Sequence, residues 1–106
     1  MNSTALPDTG LKEAVINRIR GILTQHPEVE EAILYGSRAK GNYRPYSDID
    51  LSLKGSTLTL RILHKIENEL DDLLLPYTID LSIFHMISNE ELAGHIERVG
   101  VKIYSS

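Results

Sequence analysis

Hydrophobic positions along the chain switch repeatedly between helical and strand periods. Leu11, Val15, Ile19 and Ile22 recur at spacings of four, four and three, and Ile16 and Leu23 widen the stripe. That pattern predicts an amphipathic helix over 11–26, ended by Pro27. Its hydrophobic face is broad, either a wide core face or surplus apolar surface for a partner. Val29 to Tyr35 (VEEAILY) carries a short apolar run closed by Gly36, which suits a buried strand. Gly36 to Ser47 is a polar connection with room for one short helix, and Asp48 to Lys54 alternates as a second strand. Gly55-Ser56-Thr57 supplies a turn and an N-cap for a helix over 58–75, with Leu60, Leu63, Leu70 and Leu74 marking its inner face. Pro76 stops it, and Tyr77 to Phe84 (YTIDLSIF) alternates as a third strand. Ser88 with Glu91 forms a capping box for a last helix to Arg98, closed by Gly100. Val101 and Ile103 then make a short terminal strand. This order predicts an α/β (α+β) domain, a small mixed sheet packed with helices.

Length and composition narrow the function classes. At 106 residues the chain forms one domain, with residues 1–10 as a loose lead-in, and buries roughly 65% of its unfolded surface. No apolar run approaches the ~20 residues of a membrane span, and the N-terminus lacks the basic start and apolar core of a signal peptide. Zero cysteines exclude disulfides and thiolate metal sites, so a cytoplasmic location is expected. A net charge of −4 argues against stable nucleic-acid binding through phosphate contacts.

The informative stretch is Ser47-Asp48-Ile49-Asp50-Leu51-Ser52-Leu53. With a period of two, Ile49, Leu51 and Leu53 share one face, and Asp48, Asp50 and Ser52 share the other. In the third strand, Asp80 joins Thr78 and Ser82 on the polar face, so pairing of the two strands gathers three carboxylates. At ~5 Å and an effective dielectric near 20, each ionised pair would repel by about 3 kcal/mol. No lysine or arginine stands among these polar-face positions. A hard divalent cation would offset the repulsion, because Mg²⁺ takes oxygen ligands and keeps room for substrate phosphates. An Asp-x-Asp pair alone better suits a solvent-facing edge strand. Upstream, however, Gly36 and Ser37 follow the apolar strand directly, and Arg38, Lys40 and Arg44 crowd the intervening loop of an acidic protein. A sharp backbone turn, local positive charge and a carboxylate cluster together meet the needs of a triphosphate and its metals.

Gly36-Ser37, ten residues and Asp48-x-Asp50 resemble the signature of the nucleotidyltransferase superfamily that includes DNA polymerase beta. The string GSRAKGNYRPYSDIDL is especially similar to its minimal nucleotidyltransferase branch, small prokaryotic proteins often encoded beside a helical HEPN-domain partner. The resemblance implies the polymerase-beta-like fold and two-metal transfer of a nucleotide from ATP. Gly36 and Ser37 would hold the β- and γ-phosphates, with Arg38 and Lys40 as further nucleotide-binding residues. Asp48, Asp50 and Asp80 would be both the catalytic residues and the metal ligands, for two Mg²⁺ ions or for Mn²⁺. It further implies an antitoxin that transfers AMP to a tyrosine of a cognate HEPN toxin. Two alternatives are an antitoxin acting by stoichiometric binding and an enzyme acting on a small-molecule hydroxyl. Tyr43 and Tyr46 are bulkier than the family pattern leads one to expect in this loop.

The remaining side chains carry plainer expectations. His26, His64, His85 and His95 show no paired-ligand spacing, and His64 and His95 are expected on the surface or rim of their helices. Tyr35 and Tyr77 are expected to pack in the core. Ser37 has no histidine in a fixed relation to activate it as a nucleophile.

Overall fold

The computed structural model describes residues 8–106. Eight elements and one 3₁₀ turn follow the chain as α1 (Glu13–Thr24), β1 (Glu31–Tyr35), α2 (Ser37–Lys40), β2 (Ile49–Lys54), α3 (Leu60–Asp71), β3 (Ile79–Ile83), the turn (Phe84–Met86), α4 (Glu90–Val99) and β4 (Val101–Ser105). The strands form one mixed sheet in the order β3-β2-β1-β4. β1 pairs antiparallel with β2 and β4, and β2 pairs parallel with β3. A parallel pair needs a crossover, and α3 supplies it.

Alternation sorts the strands into two faces. Ala32, Leu34, Ile49, Leu51, Leu53, Leu81 and Ile83 point into the main core, where α1 brings Ile16, Ile19 and Leu23, and α3 brings Leu63, Ile66 and Leu70. Both triplets follow the spacing of three and four that keeps side chains on one helix face. Val15 and Ile22 also pack against this core, so the broad face of α1 is a wide core face. On the opposite face, Ile33 and Tyr35 meet Ile96 of α4, with Phe84, Ile87 and Leu92 packed around them. Among the described residues, no helix is long and apolar enough to cross a membrane.

Several boundaries differ from the sequence expectation, each for a local reason. α3 starts later than predicted, because Thr59 is its cap, with its Oγ1 accepting from the Ile62 amide at 3.3 Å. Leu58 before the cap and Leu63 after it are both buried in the main core, which fixes the entry of the helix there. Leu60 therefore falls on the outer side at 55% exposure. Leu74 lies beyond the helix end, 87% exposed and at φ 55°. Ile66 takes the inner position instead. α4 is capped by Asn89, not Ser88, with its Oδ1 accepting from the Glu91 and Leu92 amides. Of the expected lead-in, residues 1–7 lie outside the described residues, while Thr9 is buried.

Replacing Ile66 with alanine is expected to lower the unfolding free energy by about 2–5 kcal/mol. Leu74→Gly is expected to raise it by roughly 0.5–1 kcal/mol, because glycine adopts the left-handed backbone without a Cβ clash. Urea titration reads both; a loss at Leu74 comparable to that at Ile66 would contradict the packing described.

Candidate active site

The sheet sets three side chains abreast on the face turned away from α1 and α3. Tyr35 is opposite Asp50 across β1 and β2, and Asp50 is opposite Asp80 across β2 and β3. Because β2 and β3 run parallel and in register, the two aspartates meet at the same end of both strands. Asp48 stands just ahead of β2 and is exposed, as is Asp80 on the edge strand. The Ile49 amide donates to the Thr78 carbonyl at 2.9 Å, which anchors the Asp48 segment to the approach of β3.

Gly36 joins β1 to α2 and is required twice over. Its φ is 76°, in the region that glycine adopts freely. A Cβ there would also overlap Asp50 Oδ2, so the Asp50 carboxylate lies directly against the turn. Ser37 opens α2, and the Gly41 and Asn42 amides return to its carbonyl at 3.0 and 3.2 Å.

Electrostatics single out Asp50. Burial holds its carboxyl above the ordinary carboxylate range, the charges of Asp80 and Asp48 push it the same way, and His95 opposes them. Tyr35 is also raised: burial dominates, the Ser82 hydroxyl opposes it, and the charges of Asp50 and Asp80 add to it. The ring of His95 meets Tyr35 edge-on at 6.3 Å between centroids. One step further along the same face, Ser82 Oγ donates to Ser52 Oγ at 3.1 Å, which satisfies a fully buried hydroxyl beside the carboxylates.

The two basic residues expected to bind nucleotide are placed differently. Lys40 is exposed at the end of α2. Arg38 turns inward and is 1% exposed. Its guanidinium donates to the carbonyls of Thr9 at 2.8 Å, Ser47 at 3.1 Å and Pro45 at 3.4 Å. Tyr43 and Tyr77 flank it with their rings, at 5.2 and 4.9 Å from the guanidinium carbon to the centroids. Tyr77 packs against the main core as expected and is also the partner of a buried cation.

Among the described residues, no group of three acidic or histidine side chains is gathered closely enough to hold a metal ion as it stands. The donor chemistry still fits a hard divalent cation. The set offers only oxygen ligands, and burial and two like charges keep Asp50 from ionising readily, with no described lysine or arginine paired to it. Asp48 and Asp80 are exposed side chains whose rotamers can turn toward Asp50.

Sequence reasoning missed Tyr35 and His95 as neighbours of this cluster. Tyr35 was readable in principle, since antiparallel pairing through the Gly36 connection sets the end of β1 against Asp50. His95 carried no signal, because the face that α4 turns to the sheet is decided by packing of Ile96 against Ile33 and Tyr35. A separate cavity of about 440 Å³ lies at the far end of β2, lined by Lys54, Gly55, Ser56, Phe84 and His85. None of the expected site residues lines it.

Comparison with known proteins places this geometry. A chain in the crystal structure of a toxin-antitoxin with AMP-PNP superposes with a TM-score of 0.70 at 22% identity, covering 86% of this chain and 73% of that one. The crystal structure of the toxin-antitoxin MntA-HepT gives 0.66 at 18% identity, covering 90% and 74%. The tri-AMPylated Shewanella oneidensis HEPN toxin in complex with MNT antitoxin gives 0.68 at 18% identity, covering 91% and 74%. At these identities the likeness is one of fold. No curated protein matches the chain significantly. The sequence profile described as "Polymerase beta, Nucleotidyltransferase" matches residues 17–106, which include the Gly36-Ser37 turn and all three aspartates, and the chain belongs to that nucleotidyltransferase family.

Proposed function

We propose that this chain is an antitoxin that transfers AMP from ATP to a tyrosine of a cognate HEPN-domain toxin, with a divalent cation, Mg²⁺ or Mn²⁺, at its aspartates. The observation that carries the reading is Asp50, in register with Asp80 and pressed against the glycine of a Gly-Ser turn. Family membership supports the reaction class. The partner is supported by structural neighbours that are toxin–antitoxin complexes, one with AMP-PNP and one with a tri-AMPylated HEPN toxin.

In this reading Asp48, Asp50 and Asp80 would hold the cation, which when bound would supply charge neutralisation for the triphosphate and acidity for the attacking hydroxyl. Gly36 lets the phosphate chain approach the backbone, Ser37 adds a hydroxyl donor, and Lys40 offers a mobile positive charge. Asp80 faces solvent from the edge strand, placed to orient an incoming phenol. The phenolic oxygen bonds to the α-phosphorus as the bond to the β-phosphate oxygen breaks. Pyrophosphate leaves, and the phenolic proton passes to solvent. Most of the acceleration is charge stabilisation and positioning.

Incubating the chain with ATP, Mg²⁺ and the HEPN protein encoded beside it tests the proposal, with intact mass as the readout. The partner is expected to gain one or more AMP units. A stable complex with no mass gain would mean inhibition by binding alone. Asp48→Asn and Asp50→Asn are each expected to slow transfer on the order of 10²-fold or more. Gly36→Ala should do the same by displacing the Asp50 carboxylate, and a variant with wild-type rate would contradict the assigned turn.

Stability should follow the proton affinity of Asp50. A carboxyl raised in the folded state favours folding while protonated, so its contribution is lost as pH rises through the raised value. In metal-free buffer at neutral pH, Asp50→Asn is therefore expected to melt above wild type, with the advantage vanishing in acid below the ordinary carboxylate range. Added Mg²⁺ should raise the melting temperature of wild type and leave the variant nearly unchanged.

A further inference from the structure

We propose that Arg38 is a positioning residue for this reaction, one that locks an N-terminal strap, the signature loop and the approach to β3 into a single body. Arg38 is almost fully buried, and none of the described carboxylates pairs with it. A buried cation persists where its donors are satisfied, and here three carbonyls and two aromatic faces do so. The identity of those partners gives the role. Ser47 directly precedes Asp48, and Tyr77 stands three residues before Asp80. Asp48 lies outside any strand, so its place depends on what holds Ser47. Asp48 is thus held through its neighbour by the guanidinium, which also flanks the chain leading into β3, while Asp80 is placed by the strand register.

The third tie is the strap, which lies ahead of the segment the family profile matches. Thr9 is 3% exposed and accepts from Arg38 through its carbonyl. Asp8 Oδ1 accepts from the Tyr43 hydroxyl and from the Gly10 amide, both at 3.0 Å. Gly10 sits at φ 73°, where a Cβ would overlap the Tyr43 ring. The loop is stapled again by Ser47, whose Oγ accepts from the Arg44 amide at 2.8 Å. With its three nitrogens bonded in different directions, this arginine cannot be replaced by lysine, a point charge without the planar fork.

The inference rests on the transfer reading, and its test separates the two. Hydrogen exchange in the full chain reads positioning without activity. In Arg38→Ala and Arg38→Lys, amides of 42–49 are expected to exchange at least about tenfold faster, while those of α3 keep their rates. Gly10→Ala, which crowds the Tyr43 ring and one Arg38 nitrogen but keeps the guanidinium in the chain, should shift the same amides by less. Kinetics read the consequence: kcat for transfer should fall about 10- to 100-fold with little change in KM for ATP. Millimolar guanidinium should restore part of that rate to Arg38→Ala alone. Unchanged exchange in 42–49, or faster exchange spread evenly into α3, would overturn the positioning role. A rise in KM at constant kcat would also overturn it, because it would make Arg38 a nucleotide contact. Should wild type transfer no AMP, the transfer reading fails, and the exchange rates still decide whether Arg38 holds the loop.

Discussion

Two like charges are held side by side by the backbone of this protein, and most of its architecture serves that placement. Asp50 and Asp80 face each other because β2 and β3 pair parallel and in register. Pairing of that kind requires a crossover, and α3 provides it while burying Leu63, Ile66 and Leu70 against the sheet. The main core thus stabilises an arrangement in which burial first, and the neighbouring Asp80 charge second, hold the Asp50 carboxyl above its ordinary range. Such conflicts between local preference and global fold are common at functional sites.

The two faces of the sheet divide the labour. One is apolar and carries α1 and α3. The other is only partly covered: α4 shields Ile33 and Tyr35, and the aspartates remain toward the open edge at β3. Partial cover lowers the polarity around Asp50 without sealing the carboxylates from a ligand. Tyr35 and His95 form the boundary between the covered and open regions. The signature loop needs separate support, since it has little regular structure, and buried Arg38 supplies it from within.

Much of this was legible in the sequence because period and register are local properties. Alternation in DIDLSLK and YTIDLSIF put Asp50 and Asp80 on polar faces, and β2–β3 pairing brought those faces together. The helix ends were less legible. Thr59 won the cap over the Gly55-Ser56-Thr57 turn because Leu58 is drawn into the core, a tertiary effect. Leu60 is the first helical residue and turns outward because Leu58 and Leu63 fix the helix entry, whereas Leu74 lies past the helix end. Arg38 read as one of three loop cations, and nothing in its neighbours announced that carbonyls nine and twenty-nine residues away would bury it. His95 was hidden for the same reason, since helix orientation is set by contacts distant in sequence.

The proposed cation site rests on Asp50, where burial and the charges of Asp80 and Asp48 hold the carboxyl above the ordinary range. Carbon-detected NMR titration of the Asp50 side chain, with and without Mg²⁺, tests it most directly. The account predicts a midpoint above the ordinary carboxylate range in metal-free protein and a fall below that range when Mg²⁺ is added. An ordinary midpoint that Mg²⁺ leaves unmoved would contradict it.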